Sequence, residues 1–203
     1  MSIGTKILNK IVSLAQATGG QVEGNKDVTD EMKNLARAVA EEAVVMLKND
    51  GALPLSGNDV VAVFGRVQND WFYVGYGSGG DVKPPYKVNL IEGLENEGVK
   101  IDETLKKIYA DWSVKNVPYE GFWGHWPFHF DEMPLSDKVV GDAAKRSNKA
   151  IVVIGRAAGG DREQKLEKGS FYLTDEEKKM LSVVTKNFKS TILIIDNGNI
   201  MDL

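Results

Sequence analysis

The sequence predicts an α/β fold, a mainly parallel sheet flanked by helices, and three observations carry that reading. "VVAVFG" at 60–65, "AIVVIG" at 150–155 and "TILIID" at 191–196 are short, continuous apolar runs rich in β-branched residues. Such runs are the form of strands covered on both faces, as parallel strands are. Between them lie stretches with apolar residues at helical spacing, and strands alternating with helices build a parallel sheet through crossover connections.

In chain order, residues 3–15 place Ile3, Ile7, Leu8, Ile11, Val12 and Leu14 at helical spacing before "TGGQVEGNKD" breaks the pattern. A short amphipathic helix and a linker are expected over residues 1–28, with the main domain at 29–203. The first twenty residues superficially resemble a signal peptide, but Lys10 interrupts the apolar stretch. From Thr29, the residues Met32, Leu35, Ala36, Val39, Ala40, Ala43, Met46 and Leu47 share one face until Asn49-Asp50-Gly51, which predicts a long helix packed on a core. After the strand at 60–65, three further helices are expected. Their apolar positions are Leu105, Ile108, Tyr109 and Trp112, then Val139, Val140, Ala143 and Ala144, then Met180, Leu181, Val184 and Phe188. The last opens with "TDEE", where Thr174 and Glu177 have the spacing of a capping box.

Composition narrows the function classes. The 203 residues are 42% hydrophobic and 27% charged, ordinary for a globular domain. With 25 Lys and Arg against 29 Asp and Glu, the net charge of -4 is mild and mixed, so nucleic acid is not an expected partner. No run approaches the roughly 20 apolar residues of a membrane span. The absence of cysteine removes disulfides and thiolate metal sites and fits a reducing compartment, and a cytoplasmic location is the expectation.

Open α/β sheets bind ligands at the carboxyl ends of their strands, so the loops after Phe64, Ile154 and Ile195 are the places to search. "GYGSGG" at 75–80 matches G-x-G-x-x-G, but a dinucleotide fingerprint needs a strand directly before it and a helix directly after. Here the strand ends ten residues earlier and Pro84-Pro85 follow. Nucleotide binding is therefore the weakest reading, and a ligand-lining glycine loop the better one. His125 and His129 stand four apart with Pro127 between them and no third ligand, so neither a metal nor a cofactor is expected. No G-x-S-x-G elbow occurs.

Two segments stay open on their residues alone. "VPYEGFWGHWPFHFDEMP" gathers Tyr119, Phe122, Trp123, Trp126, Phe128 and Phe130 without helical or strand alternation; it reads as packed core, as a docking surface or as flat faces for sugar rings. "GRAAGGDREQKLEKGSF" crowds Arg156, Asp161, Arg162, Glu163, Lys165 and Glu167 at a strand's carboxyl end. It is either solvated charge or carboxylates tuned by arginines for acid-base work.

Six stretches in one order carry a resemblance: "LARAVAEEAVVMLKNDGALPL", "VAVFGRVQNDWF", "GYGSGGDV", "IVVIGRAAGGDREQ", "EKGSFYLTDEEKKML" and "NGNIMDL". Together they resemble the α/β sandwich domain of glycoside hydrolase family 3, the β-glucosidases and their relatives, over about residues 30–203. The resemblance implies a second domain, a (β/α)8 barrel in cis or in trans that carries an aspartate nucleophile, and a sandwich loop that lends the acid/base glutamate. It implies a retaining mechanism with two carboxyl groups ~5 Å apart, and a β-glucoside or related saccharide as substrate. The closeness of Met1 to the sandwich motifs resembles the subgroup with reversed domain order.

The sequence departs from the family pattern twice. Where the family loop has glutamate, this chain has Gly160, within Gly159-Gly160-Asp161; Glu163 is the nearest substitute acid. The stretch ending at Leu203 resembles a part of the family domain that lies before its last strands, so the sheet is expected to lack them, and the isolated chain to be inactive. Arg66, Asp70, Tyr73, Ser78, Arg156, Asp161 and Arg162 are the expected wall of the sugar site. A non-catalytic carbohydrate-binding or interaction domain is the alternative, and an unpaired sheet edge makes self-association an expectation.

Overall fold

The computed structural model describes residue 10 and residues 28–73, 86–119, 126–157 and 164–203. The chain forms two compact units, Met1–Gly51 and Ala52–Leu203. In the first, helix α1 (Asp30–Ala43) starts at Thr29, whose hydroxyl accepts the Met32 N–H at 3.3 Å, and Asp30 and Glu31 suit the positive end of the helix dipole. The helix is shorter than its periodicity predicts. Val44 takes extended backbone, and the β-branched pair Val44-Val45 has little preference for helix. None of the residues of α1 is buried, with Met32, Leu35 and Val39 all more than half exposed. Among the described residues of its unit nothing covers the apolar face: amphipathic spacing fixes which face is apolar but not what covers it. The helix expected over 3–15 lies outside the described residues apart from Lys10.

The second unit contains β1 (Val60–Phe64), a 3-10 turn (Arg66–Gln68), α2 (Leu90–Asn96), β2 (Lys100–Ile101), α3 (Glu103–Lys115), α4 (Asp137–Arg146), β3 (Lys149–Arg156), α5 (Asp175–Asn187) and β4 (Thr191–Asn197). The strands form one parallel sheet in the order β2-β1-β3-β4. Alternate residues serve opposite faces, which is why β1 and the interior of β3, residues 150–155, are apolar throughout. Ala62, Phe64, Ala150, Val152 and Ile154 pack with Leu105 and Tyr109 of α3, Val140 and Ala143 of α4, and Met180 and Val184 of α5. Val61, Val63, Ile151 and Val153 face the other way, against Ile91 of α2 and Val67.

Two small elements escape the hydrophobic pattern, β2 with two residues and α2 with seven. The signal for α2 is its capping box, in which the Asn89 side chain accepts the Glu92 N–H and Glu92 accepts the Asn89 N–H, both at 2.9 Å. These elements decide the topology. The chain leaves β1 toward β2 on one side, crosses back to β3 on the other, and leaves β3 toward β4. Connections therefore diverge between the carboxyl ends of β1 and β3, the topological switch point where such sheets open a crevice.

Candidate functional site

An arginine stands at each side of that crevice. Gly65 ends β1 with φ 106°, and a Cβ there would lie 2.1 Å from the Val153 carbonyl oxygen, so only glycine lets the two strand ends approach this closely. Its N–H donates to the Tyr109 hydroxyl at 2.9 Å. Arg66 follows, its guanidinium donating to Asp70 Oδ2 at 2.8 Å, to the Asp131 carbonyl at 2.9 Å and to the Asn116 carbonyl. It also lies 4.9 Å from the Trp112 ring centre. Across the gap, Arg156 binds both carboxylate oxygens of Glu177 at 2.6 and 2.7 Å, and donates to the carbonyls of Gly155, Ser170 and Tyr172.

A strap of the chain's own residues crosses between them. The Ala157 N–H donates to the Phe128 carbonyl at 2.7 Å, and the Arg66 N–H to Glu132 Oε2 at 2.7 Å. The His129 ring occupies the place where a Cβ on Gly169 would stand, 2.0 Å from its Cε1. Beside the strap is a cleft of about 200 Å³ lined by His129, Asp131, Glu132, Pro134, Thr174 and Glu176.

Two carboxyl groups here hold their protons unusually tightly. Burial pushes Glu132 up to about 7, helped by the charge of Glu177 and opposed by the N–H groups of Arg66 and Met133. The residue as a whole is partly exposed, but its carboxyl group is densely surrounded. Burial likewise pushes Asp196, at the end of β4, up to about 6, against one bond from the Phe72 N–H at 3.1 Å. The Tyr73 phenol is raised by burial and by the charges of Glu92 and Asp196. Among the described residues no group of three His, Cys, Asp or Glu side chains is placed to hold a metal ion.

The structure gathers part of the expected wall. Arg66 and Arg156 are both 2% exposed, with their donors directed to protein acceptors. Asp70 is partly exposed beside Arg66, and Tyr73 is partly exposed with the Lys87 ammonium 5.2 Å from its ring centre. Ser78, Gly160, Asp161, Arg162 and Glu163 lie outside the described residues, as do "GYGSGG", Phe122, Trp123 and His125. Within the aromatic segment, Phe128 is buried and Phe130 stacks on Phe72 at 4.7 Å, so that part is packing. Glu132, Glu177 and Asp196 are the residues that sequence reasoning missed as site components. Asp196 leaves a trace, since it is the charged residue that ends the apolar run "TILII".

The sequence pattern described as the glycosyl hydrolase family 3 C-terminal domain matches residues 44–203. The chain belongs to glycosyl hydrolase family 3. It is 41% identical over 177 residues to a β-glucosidase of Ruminococcus albus, covering 86% of this chain and 18% of that protein. To β-glucosidase A of Butyrivibrio fibrisolvens it is 33% identical over 207 residues, covering 89% and 24%. Among solved structures, this family 3 domain superposes on a β-glucosidase from Paenibacillus barengoltzii with a TM-score of 0.84 at 37% identity, covering 87% of this chain and 20% of that one. It superposes on β-glucosidase 3B from Thermotoga neapolitana, in complex with α-D-glucose, with a TM-score of 0.78 at 30% identity, covering 89% and 26%. The family 3 domain thus spans about a fifth to a quarter of the length of these relatives.

Proposed function

We propose that this domain forms one wall of the sugar site of a β-glucosidase-like retaining glycoside hydrolase and presents the acid/base segment to a (β/α)8 barrel. The observation that supports this best is the family match over 44–203 together with β-glucosidase relatives, one of them solved with glucose. The substrate class is a β-glucoside or related saccharide.

In this reading the crevice between β1 and β3 is a support. Arg156 ties the strand end to Glu177 and to the Ser170 and Tyr172 carbonyls, so it joins the described residues on either side of Gly160 in the sequence. Arg66 orients Asp70 and the strap in the same way, leaving Asp70 and Tyr73 to meet the sugar. Protonation of the leaving oxygen by a positioned acid is worth about 10²- to 10⁴-fold. Gly160 cannot supply it, and Glu163 is the substitute available in the same loop.

The test is hydrolysis of an aryl β-glucoside. The 203-residue chain alone should show none, because the nucleophile belongs to the barrel; turnover at enzyme-like rates would overturn that. In a protein with the barrel present, Gly160→Glu should raise kcat by at least about 10²-fold, and an unchanged kcat would overturn the acid/base assignment. Gly160 also favours a second reading, a non-catalytic saccharide-binding domain. Under it, glucose or gluconolactone would raise the melting temperature while Gly160→Glu created no activity.

A further inference from the structure

We propose that Asp196 is a positioning residue, whose carboxylate at the end of β4 holds the segment Trp71–Tyr73 across the strand ends and so sets where the Tyr73 side chain stands. The sheet order is β1-β3-β4 on this side, so the chain leaving β1 must pass over the end of β3 to reach β4. Gly155 of β3 makes the passage: a Cβ there would lie 2.8 and 2.9 Å from the Phe72 ring and 2.9 Å from Val67 Cγ1. The Phe72 ring is closed from another side by Phe130, stacked at 4.7 Å. The backbone N–H of Phe72 then donates to Asp196 Oδ2 at 3.1 Å, joining residues 124 positions apart.

The bond is sensitive to charge. An ionised carboxylate accepts from an N–H about twice as strongly as a neutral group, and burial raises Asp196 to about 6. The titratable group it faces is the Tyr73 phenol, which is also met by the charge of Glu92 on α2 and by the Lys87 ammonium over its ring. The sign for this one bond follows: above about 6 the carboxylate is charged and accepts the Phe72 N–H more strongly, and below it the proton weakens that bond, although burying the charge costs the fold as a whole. That Tyr73 meets a saccharide rests on the function proposed above; the positioning by Asp196 does not.

The experiment is ¹⁵N NMR on the 203-residue chain without any sugar, so its outcome is separate from that of the hydrolysis tests. The Phe72 amide proton should shift with pH around a midpoint near 6. Asp196→Asn should abolish the titration yet keep the amide protected, because the side-chain carbonyl accepts the same bond. Asp196→Ala should speed hydrogen exchange at Phe72 about tenfold and move the Tyr73 ring signals, with β1 and β3 amides unchanged. If Asp196→Ala also unprotects β3, the Asp196→Asn titration decides alone. A Phe72 amide indifferent to pH, or one titrating equally in Asp196→Asn, would overturn the proposal.

Discussion

Glu177→Ala removes several contacts at one point of the fold. The carboxylate binds Arg156 through both oxygens at 2.6 and 2.7 Å, and Oε2 also accepts the Thr174 N–H at 2.8 Å to close the capping box of α5. The side chains of Arg156 and Glu177 are 2% and 7% exposed, so water cannot replace the lost partner. Leaving a buried guanidinium uncompensated costs about 3–5 kcal/mol, and losing half of a cap adds about 0.5–1 kcal/mol. Against a typical total of about 5–15 kcal/mol, the variant should approach the limit of folding. Urea unfolding followed by far-ultraviolet circular dichroism reads this directly. With a slope of about 2 kcal/mol per molar urea, the midpoint should fall by about 2–3 M. The double variant Arg156→Met with Glu177→Met should be more stable than Glu177→Ala, because it removes both charges together. A midpoint loss below about 0.5 M, or additive costs in the double variant, would refute the reasoning.

Other outcomes follow from the strand ends and the buried acids. Gly65→Ala should fail to fold or lose more than about 3 kcal/mol, since its Cβ meets backbone 2.1 Å away at a φ of 106°; a soluble variant with an unchanged urea midpoint would contradict this. Glu132 and Asp196 are raised from 4.5 to about 7 and from 3.8 to about 6. The folded state therefore binds more protons than the unfolded one in these windows, and stability should decline as pH rises from about 4 to about 7, then level. Asp59 and Asp142, both lowered to about 2, act in the opposite sense below that range. Urea midpoints that climb between pH 4.5 and 7 would contradict the raised protonation of these two carboxyls.

The strands β1, β3 and β4 and the helices α3, α4 and α5 are legible because each carries its own periodicity, and a pattern of contiguous residues records which face is buried. Weak local patterns fail: β2 has two residues, and α2 is announced by Asn89 and Glu92 rather than by an apolar stripe. The helix α1 shows the opposite limit, a strong stripe whose cover is not encoded within it. At the site, Arg66 and Arg156 are visible as charges at strand ends, but their direction into the protein depends on acceptors from distant segments. Asp131 and Asn116 reach Arg66, and Glu177 reaches Arg156.

By itself the sequence determined the parallel α/β class and, through six ordered motifs, the family. These are properties of neighbours in the chain, where spacing and side-chain type suffice. Only the tertiary structure decided that the crevice between β1 and β3 is spanned by the Phe128–Met133 strap, that both arginines are internal clamps, and that Asp196 meets the segment after β1. Those contacts join residues separated by tens of positions and up to 124, and the burial that tunes Glu132 and Asp196 exists only once the distant parts are packed together.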